Sequence, residues 1–291
     1  MRFQFIEKYR SEFRVEKMCQ VLRVSRSGYY KWKTKKISSQ AYRKEQVVKR
    51  ISYHFKDNSG RYGALKITAK LRLEGLTISE RTVGKYMREL KLRACVSRKF
   101  RVTTTDSNHD HPIAPNLLNQ NFKVSQPNKV WVADITYIPC KGQKLYLASI
   151  MDLCTREIVG WRLDNHMTTE LVMGAFEAAY TAKMPKEGLI HHSDRGTQYT
   201  SKEYRAKLKA CGMIASMSRR GNCYDNACIE SFHSILKKEL IYCSPKFKSQ
   251  QEAYTELYRY IEFFYNRKRI HSSLGYLSPV QFDLQFYKKA S

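Results

Sequence analysis

The pattern of apolar positions changes along the chain, and the change divides it. Up to residue 90 the period is helical. Val15, Met18, Cys19 and Leu22 fall three and four residues apart, and Ser25 then stands as an N-cap for a helix over 26–32. The pattern returns over 64–73, where Leu65, Ile67, Ala69 and Leu71 are interleaved with Lys66, Lys70 and Arg72. Gly75 ends that helix, Thr77-Ile78 turns, and Ser79 caps another running from Glu80 to near Leu90. Val83, Tyr86, Met87 and Leu90 form its buried stripe and leave Arg81, Lys85 and Arg88 outside. Two helices across a short turn predict a helix-turn-helix, one over 1–45 and a second over 46–96. A plain helical bundle has the same outline.

Residues 97–128 carry no period. They hold a basic run at Ser97–Arg101, a Thr run, His109 and His111 in a polar loop, and Pro112, Pro115 and Pro127, and they predict a linker. From Val130 the character changes to alternating strands and helices. Val130–Ile138, Leu145–Asp152 and Glu157–Leu163 predict an antiparallel meander. Thr168 caps a helix over 169–182, Leu189–His192 is a short buried strand, and 202–211 is helical up to Gly212. Met213–Met217 adds a strand, and amphipathic helices follow over 226–240 and 252–265. The order βββ-α-β-α-β-α-α predicts an α/β domain over 129–285, a mixed sheet flanked by helices.

Charge sharpens this division. The chain has 291 residues and a formal charge of +27; residues 1–105 hold 28 Lys and Arg against 8 Asp and Glu, leaving 25 against 18 for the rest. So basic a first third predicts a polyanion, and nucleic acid before others, as its partner. The 42% apolar content excludes a disordered tail, and no run reaches the roughly 18 apolar residues of a membrane span. The eight cysteines are scattered without a Cys-x-x-Cys pair and read as reduced thiols of a cytoplasmic protein.

Phosphodiester chemistry can run on two divalent metals about 3.5–4 Å apart, held by carboxylates from separate elements. Asp134 interrupts an otherwise apolar strand, where a carboxylate costs several kcal/mol unless it is paired or binds metal. Asp194 lies just past the fourth strand, where ligands gather in open α/β sheets. Glu230 lies in the first turns of a helix that carries His233, Ser234 and Lys237 near the same face. Each has a bland alternative: a buried salt bridge for Asp134, a turn residue for Asp194, a solvated face for Glu230. Asp152 competes with Asp134, since it also ends an apolar strand, and Asp225 beside Asn226 reads as a helix cap.

Longer motifs go further. Trp131–Tyr137 (WVADITY), Tyr146–Trp161 (YLASIMDLCTREIVGW), His191–Tyr199 (HHSDRGTQY), Ser216–Leu240 (SMSRRGNCYDNACIESFHSILKKEL) and Tyr265–Pro279 (YNRKRIHSSLGYLSP) follow in order, after a basic region at 61–92. In these stretches the chain resembles insertion-sequence transposases related to retroviral integrases, of the type translated from the second of two overlapping reading frames. The resemblance implies an RNase H-like catalytic domain with a mixed five-stranded sheet, preceded by a small all-α helix-turn-helix region. It implies an Asp-Asp-Glu triad at Asp134, Asp194 and Glu230, which would hold two Mg²⁺ or Mn²⁺ ions, and a basic residue seven positions on, at Lys237. Asp152 is then structural. It further implies cleavage at terminal inverted repeats and joining of the freed 3′-hydroxyl to target DNA, with no covalent protein–DNA intermediate. Arg219, Arg220, Arg81, Lys85 and Arg88 join Lys237 as candidate DNA contacts, and Asn222 and Asn226 shape the loop before Glu230.

In that family the active form is usually a frameshift fusion whose upstream part supplies a helix-turn-helix and a leucine zipper. This chain has no sustained heptad pattern. The expected partners are therefore double-stranded DNA, further copies of the chain on that DNA, and the upstream reading-frame product, in a bacterial cytoplasm at the nucleoid. A regulator that binds DNA but is inert without its upstream partner, and a plain nuclease of the same fold, are the alternative functions.

Overall fold

The computed structural model describes residues 1–34, 38–95, 112–242 and 247–290; the basic run at 97–101, His109 and His111 lie outside them. Three short helices come first: α1 (Arg2–Lys8), α2 (Val15–Val21) and α3 (Arg26–Lys33). They close over Ile6, Met18, Cys19 and Tyr29. Ser25 caps α3 as its position predicts, its hydroxyl accepting from the Gly28 amide at 3.0 Å. The Tyr29 hydroxyl donates to Glu7, which Arg10 and Lys33 also flank.

The second helical unit comprises α4 (Ser39–Asp57), α5 (Ala64–Leu73) and α6 (Glu80–Glu89). Helix α4 spans the expected 45/46 boundary, and its buried side, Val47, Ile51 and His54, lies after that point. Ser79 caps α6, accepting from the Thr82 amide at 3.2 Å. Val83 and Met87 are buried, Tyr86 and Leu90 pack beside them, and Arg81, Lys85 and Arg88 are exposed.

The α/β part holds a five-stranded sheet in the order β3-β2-β1-β4-β5, from β1 (Val130–Cys140), β2 (Gln143–Asp152), β3 (Ile158–Asp164), β4 (Ile190–Ser193) and β5 (Ile214–Met217). The first three strands are antiparallel neighbours; β4 joins β1 in parallel, and β5 joins β4 in parallel. This is the mixed sheet the pattern predicts. On one face lie α7 (Thr169–Lys183), the single turn α8 (Thr197–Thr200) and α9 (Lys202–Ala210), over Trp131, Ala133 and Ile135. Thr168 occupies the N-cap of α7, but its side chain makes no capping bond to the backbone. Helix α7 lies so close to β3 that a Cβ on Gly160 would meet the Ala175 carbonyl at 2.4 Å, so only glycine fits there.

The other face is covered by α10 (Ala227–Leu236), which continues as a π-helical turn over Lys237–Ile241, and by α11 (Gln250–Tyr258), which continues similarly to Tyr265. Helix α12 (Pro279–Ala290) ends the chain, running past the expected limit at 285. Val130 and Val132 pack in one core with Ile229, Phe232 and Leu236 of α10, and that core also takes in Ile51, Tyr62, Ile67 and Val83 of the second helical unit. That unit is thus fused to the sheet domain. Residues 112–128 do more than link: Leu118 is buried in the same core, and Asn116 and Gln120 bind Asp225.

Polar contacts reinforce the junction. Glu239, 6% exposed, accepts from Arg269 at 3.0 Å, from the Tyr260 hydroxyl at 2.9 Å and from Lys66 Nζ of α5 at 3.4 Å. Arg61 donates to the Glu239 carbonyl, Lys268 to Asp57, and the Ile270 amide to the Tyr62 hydroxyl. Burial pushes Lys66 down to about 8, against the pull of Glu239. Cys19, Cys140, Cys154, Cys211 and Cys228 are free thiols, whereas Cys95 is disulfide-bonded, against the expectation for it. No helix among the described residues is long and apolar enough to cross a membrane.

Two stability predictions follow from this core. Glu239→Gln leaves the buried Arg269 without its counter-charge and is expected to cost about 3–5 kcal/mol in urea unfolding; a loss under about 1 kcal/mol would show that the network does not hold the units together. Burial also pushes His191 and His271 down to about 3, so both stay neutral in the fold. Below their ordinary value the unfolded chain takes up protons that the folded chain refuses. Stability is therefore complete above about pH 6.5 and falls as pH drops towards the folded values, by at most about 1.4 kcal/mol per pH unit for each histidine. Replacing His191 or His271 with Gln should flatten that slope between pH 6.5 and 4.5, and an unchanged slope contradicts the assignment.

Candidate active site

The site is built on strand alternation and a parallel register. Val130, Val132 and Asp134 project from the same face of β1, and the two valines pack against α10, so Asp134 faces that helix too. In the β1–β4 ladder Val130 pairs with Ile190 and Val132 with His192. Asp134 and Asp194 each lie two residues past the last pair of that ladder, Asp194 just after β4 ends at Ser193. Asp194 is fixed locally by the Gly196 amide, which donates to its Oδ1 at 3.0 Å. A Cβ on Gly196 would lie 3.1 Å from that oxygen and 3.0 Å from Gln198 Oε1, so glycine lets the chain fold closely over the carboxylate. His192, fully buried, joins β4 to β5 through Ser216 at 2.9 Å and Ser218 at 3.1 Å.

Glu230 comes from the opposite side, exposed on the first turn of α10. The start of that helix is docked against β1 by Asn226, whose Nδ2 donates to the Ala133 carbonyl at 3.0 Å, one residue before Asp134. The loop before it is held by Asp225, which is fully buried and accepts from Asn116, Gln120, the Arg219 amide and the Arg219 guanidinium at 2.7–3.0 Å. These bonds, the Arg219 guanidinium first, hold its carboxyl well below the usual carboxylate range. Asp225 is therefore not the helix cap expected from its position. Asn222 shapes the same loop, its Oδ1 accepting from the Tyr224 amide at 3.0 Å.

Glu230 senses both other acids. Burial, then Asp134, then Asp194 raise the Glu230 carboxyl to about 7. Lys237 lies in the same field: burial pushes its ammonium down while Asp134 pulls it up. Asp134 also has a partner missed in the sequence, His233, whose Nδ1 lies 3.2 Å from its Oδ2. The period places His233 and Ser234 near one face with Glu230, but they diverge: His233 is buried and Ser234 exposed. The signal for His233 was its place one turn beyond Glu230 on a helix that must cover β1. Asp152, the competitor, is buried at the end of β2 and accepts from the Asn128, Cys154 and Thr155 amides and the Thr155 hydroxyl, which is a turn-forming role.

The donor set suits a hard divalent cation: carboxylate oxygens whose mutual repulsion a cation would relieve. Two buried polar atoms around them lack a hydrogen-bond partner, the Tyr199 hydroxyl and Asn226 Oδ1. Tyr199 stays protonated, raised well above its ordinary value by burial and, further down, by Asp134 and Asp194. Among the described residues no three His, Cys, Asp or Glu side chains stand within joint reach of one ion. Like charges at this range repel, so closing the group requires a counter-charge.

The candidate DNA contacts divide. Arg81, Lys85 and Arg88 are exposed along α6, and Arg220 is exposed on the loop before α10. Arg219 is half-exposed, but its guanidinium is held by Asp225.

Residues 124–223 and 212–279 match two models of an integrase core domain, and residues 42–100 match an HTH-like domain. An uncharacterized 31 kDa protein of insertion element IS600 from Shigella sonnei is 43% identical over 94% of this chain and 100% of its own length. Transposase InsF for insertion sequence IS3A from Escherichia coli K12 is 40% identical over 97% of this chain and 98% of its own. Among solved structures, the HTLV-2 integrase catalytic core domain in complex with magnesium aligns at 16% identity and a TM-score of 0.43, covering 54% of this chain and 97% of that one. With its sheet order, its integrase core and relatives matched almost end to end, the chain belongs to the InsF-type insertion-sequence transposases, enzymes of the integrase superfamily.

Proposed function

We propose that this transposase cleaves the terminal inverted repeats of its insertion sequence and joins the freed 3′-hydroxyls to target DNA, with Asp134, Asp194 and Glu230 as its catalytic acids. One observation carries the assignment of the acids: Glu230 is raised to about 7 by burial and by Asp134 and Asp194, which reach it from β1 and from the end of β4. Asp152 and Asp225, the other acids of the region, are fully engaged by neighbouring donors.

Asp134, Asp194 and Glu230 would hold divalent cations, Mg²⁺ or Mn²⁺ and two per site. When bound, these supply Lewis-acid polarisation of the scissile phosphate and activation of the attacking oxygen. The protein's own part is placement. Gly196 keeps the Asp194 carboxylate turned back over its loop, and Asn226 holds the start of α10, with Glu230, against β1. Lys237 brings a cation to the same centre, suited to a DNA phosphate. Arg81, Lys85 and Arg88 present a basic stripe to duplex DNA, whose binding is then strongly salt-dependent. Arg220 is better placed than Arg219 for a DNA contact, because Arg219 is bound to Asp225.

Both ends of the element must be acted on, which supports assembly of more than one copy on DNA, and the upstream reading-frame product is a further partner in this proposal. A purely regulatory role is disfavoured, since an inert DNA-binding chain has no need of three mutually repelling carboxylates. The test is a strand-transfer assay on DNA carrying the sequences that flank the gene, in Mg²⁺ and Mn²⁺, with and without the upstream product. Wild type is expected to give joined products, and Glu230→Gln to lower their yield by about 10³-fold or more, or roughly 4 kcal/mol in the barrier. Equal yields from the two would remove Glu230 from the mechanism. Nicked or digested DNA without joining would indicate a nuclease.

A further inference from the structure

His233 belongs to none of the roles assigned so far, yet it stands at the point where helix α10 meets strand β1. It is 5% exposed and carries contacts on both ring nitrogens. Nδ1 lies 3.2 Å from Asp134 Oδ2, and Nε2 lies 2.6 Å from the Ser149 hydroxyl. Ser149 is fully buried on β2 and is the register partner of Asp134 in the β1–β2 ladder. The imidazole therefore spans the two strands from the helix above them, one side on the carboxylate and the other on its cross-strand neighbour. Its ring is further confined by Phe232, at 5.4 Å between centroids.

This placement has two geometric consequences. A carboxylate on a strand can rotate about its side-chain bonds, and a donor fixed by a second hydrogen bond removes that freedom. Ligands oriented in this way bind metal more tightly than free ones. Moreover, His233 and Glu230 lie one turn apart on a single rigid helix. A contact from His233 to Asp134 sets how far α10 stands from β1, and with it the separation of Glu230 from Asp134. The contact also determines the tautomer: an ionised carboxylate only accepts, so Nδ1 must carry the proton, and Nε2 faces Ser149.

We propose that His233 is a positioning residue of the catalytic centre, fixing the Asp134 carboxylate and the Asp134–Glu230 separation with Ser149 as its support. The proposal rests on the reading that Asp134, Asp194 and Glu230 form the metal-binding centre. Ser149 acts only through His233, so its loss should have the same direction and a smaller size.

The experiment uses the full chain without DNA, with two measurements. Nitrogen-15 NMR of the histidine ring should show a proton on Nδ1 of His233; a ring protonated only on Nε2 overturns the proposal. Calorimetric titration with Mn²⁺ then compares variants. His233→Leu should weaken binding by about 10–100-fold, and His233→Asn, whose Nδ2 branches from Cγ as the ring Nδ1 does, should recover it to within a few-fold. Ser149→Ala should fall between wild type and His233→Leu, which keeps the proposal testable should the leucine variant fail to fold. A role confined to packing predicts the opposite order, with leucine tolerated and asparagine harmful, and would refute it. Glu230→Gln is the control for the underlying reading. If that change leaves Mn²⁺ affinity intact, the centre itself is misassigned. If it abolishes binding while His233→Leu and Ser149→Ala both bind as wild type does, the centre stands and the role of His233 falls.

Discussion

Three carboxylates, on a strand, just past a strand end and on a helix, make up the proposed centre, and the charges of two of them bear on the third. Glu230 is raised to about 7, by desolvation first and then by the charges of Asp134 and Asp194. In the proposed centre the parallel β1–β4 pairing points the end of β4 towards Asp134, and the docking of α10 on β1 brings in Glu230. Asn226, Asp225 with Arg219, and Gly196 each restrain one approach to the centre. A cation bound there would add an attraction to each carboxylate that offsets their mutual repulsion.

The helical unit of α4–α6 is tied to the same helix from behind. Helix α10 carries Glu230 towards the acids, and its π-helical continuation carries Glu239 into a buried cluster with Arg269, Tyr260 and Lys66 of α5. The exposed basic residues of α6 thus belong to a unit that shares one apolar core with α10. DNA gripped by Arg81, Lys85 and Arg88 would be held at a fixed place relative to Glu230, by one shared apolar core. The first unit, α1–α3, has its own small core around Tyr29.

Local chemistry was the most legible part of the sequence. Ser25 and Ser79 cap their helices as their positions predict, because an N-cap depends on a few adjacent residues. The strands were visible as short β-rich apolar runs between turn residues. The triad was different. Spacing alone left Asp134 and Asp152 competing, and the long motifs, through their family resemblance, singled out Asp134. In the fold the two differ by environment: four donors satisfy Asp152, whereas Asp134 faces a helix that brings another acid. What stayed hidden depends on distant partners. A helical period assigns His233 to a stripe without showing that the stripe turns in towards Ser149. The partners of Glu239 lie on α5 and beyond α11, far from it in sequence. The continuity of α4 was missed because its first turns are polar and basic, while its apolar side begins only at Val47.

The convergence of the acids is the central claim, and the ionisation of Glu230 measures it most directly. Carbon-13 NMR of the Glu230 carboxyl, followed through a pH titration of the metal-free full chain, is expected to give a midpoint near 7. Asp194→Asn should move that midpoint down towards the ordinary carboxylate range, because it removes one of the two neighbouring charges. A midpoint already in the ordinary range and unmoved by Asp194→Asn would mean that the three acids do not share a site.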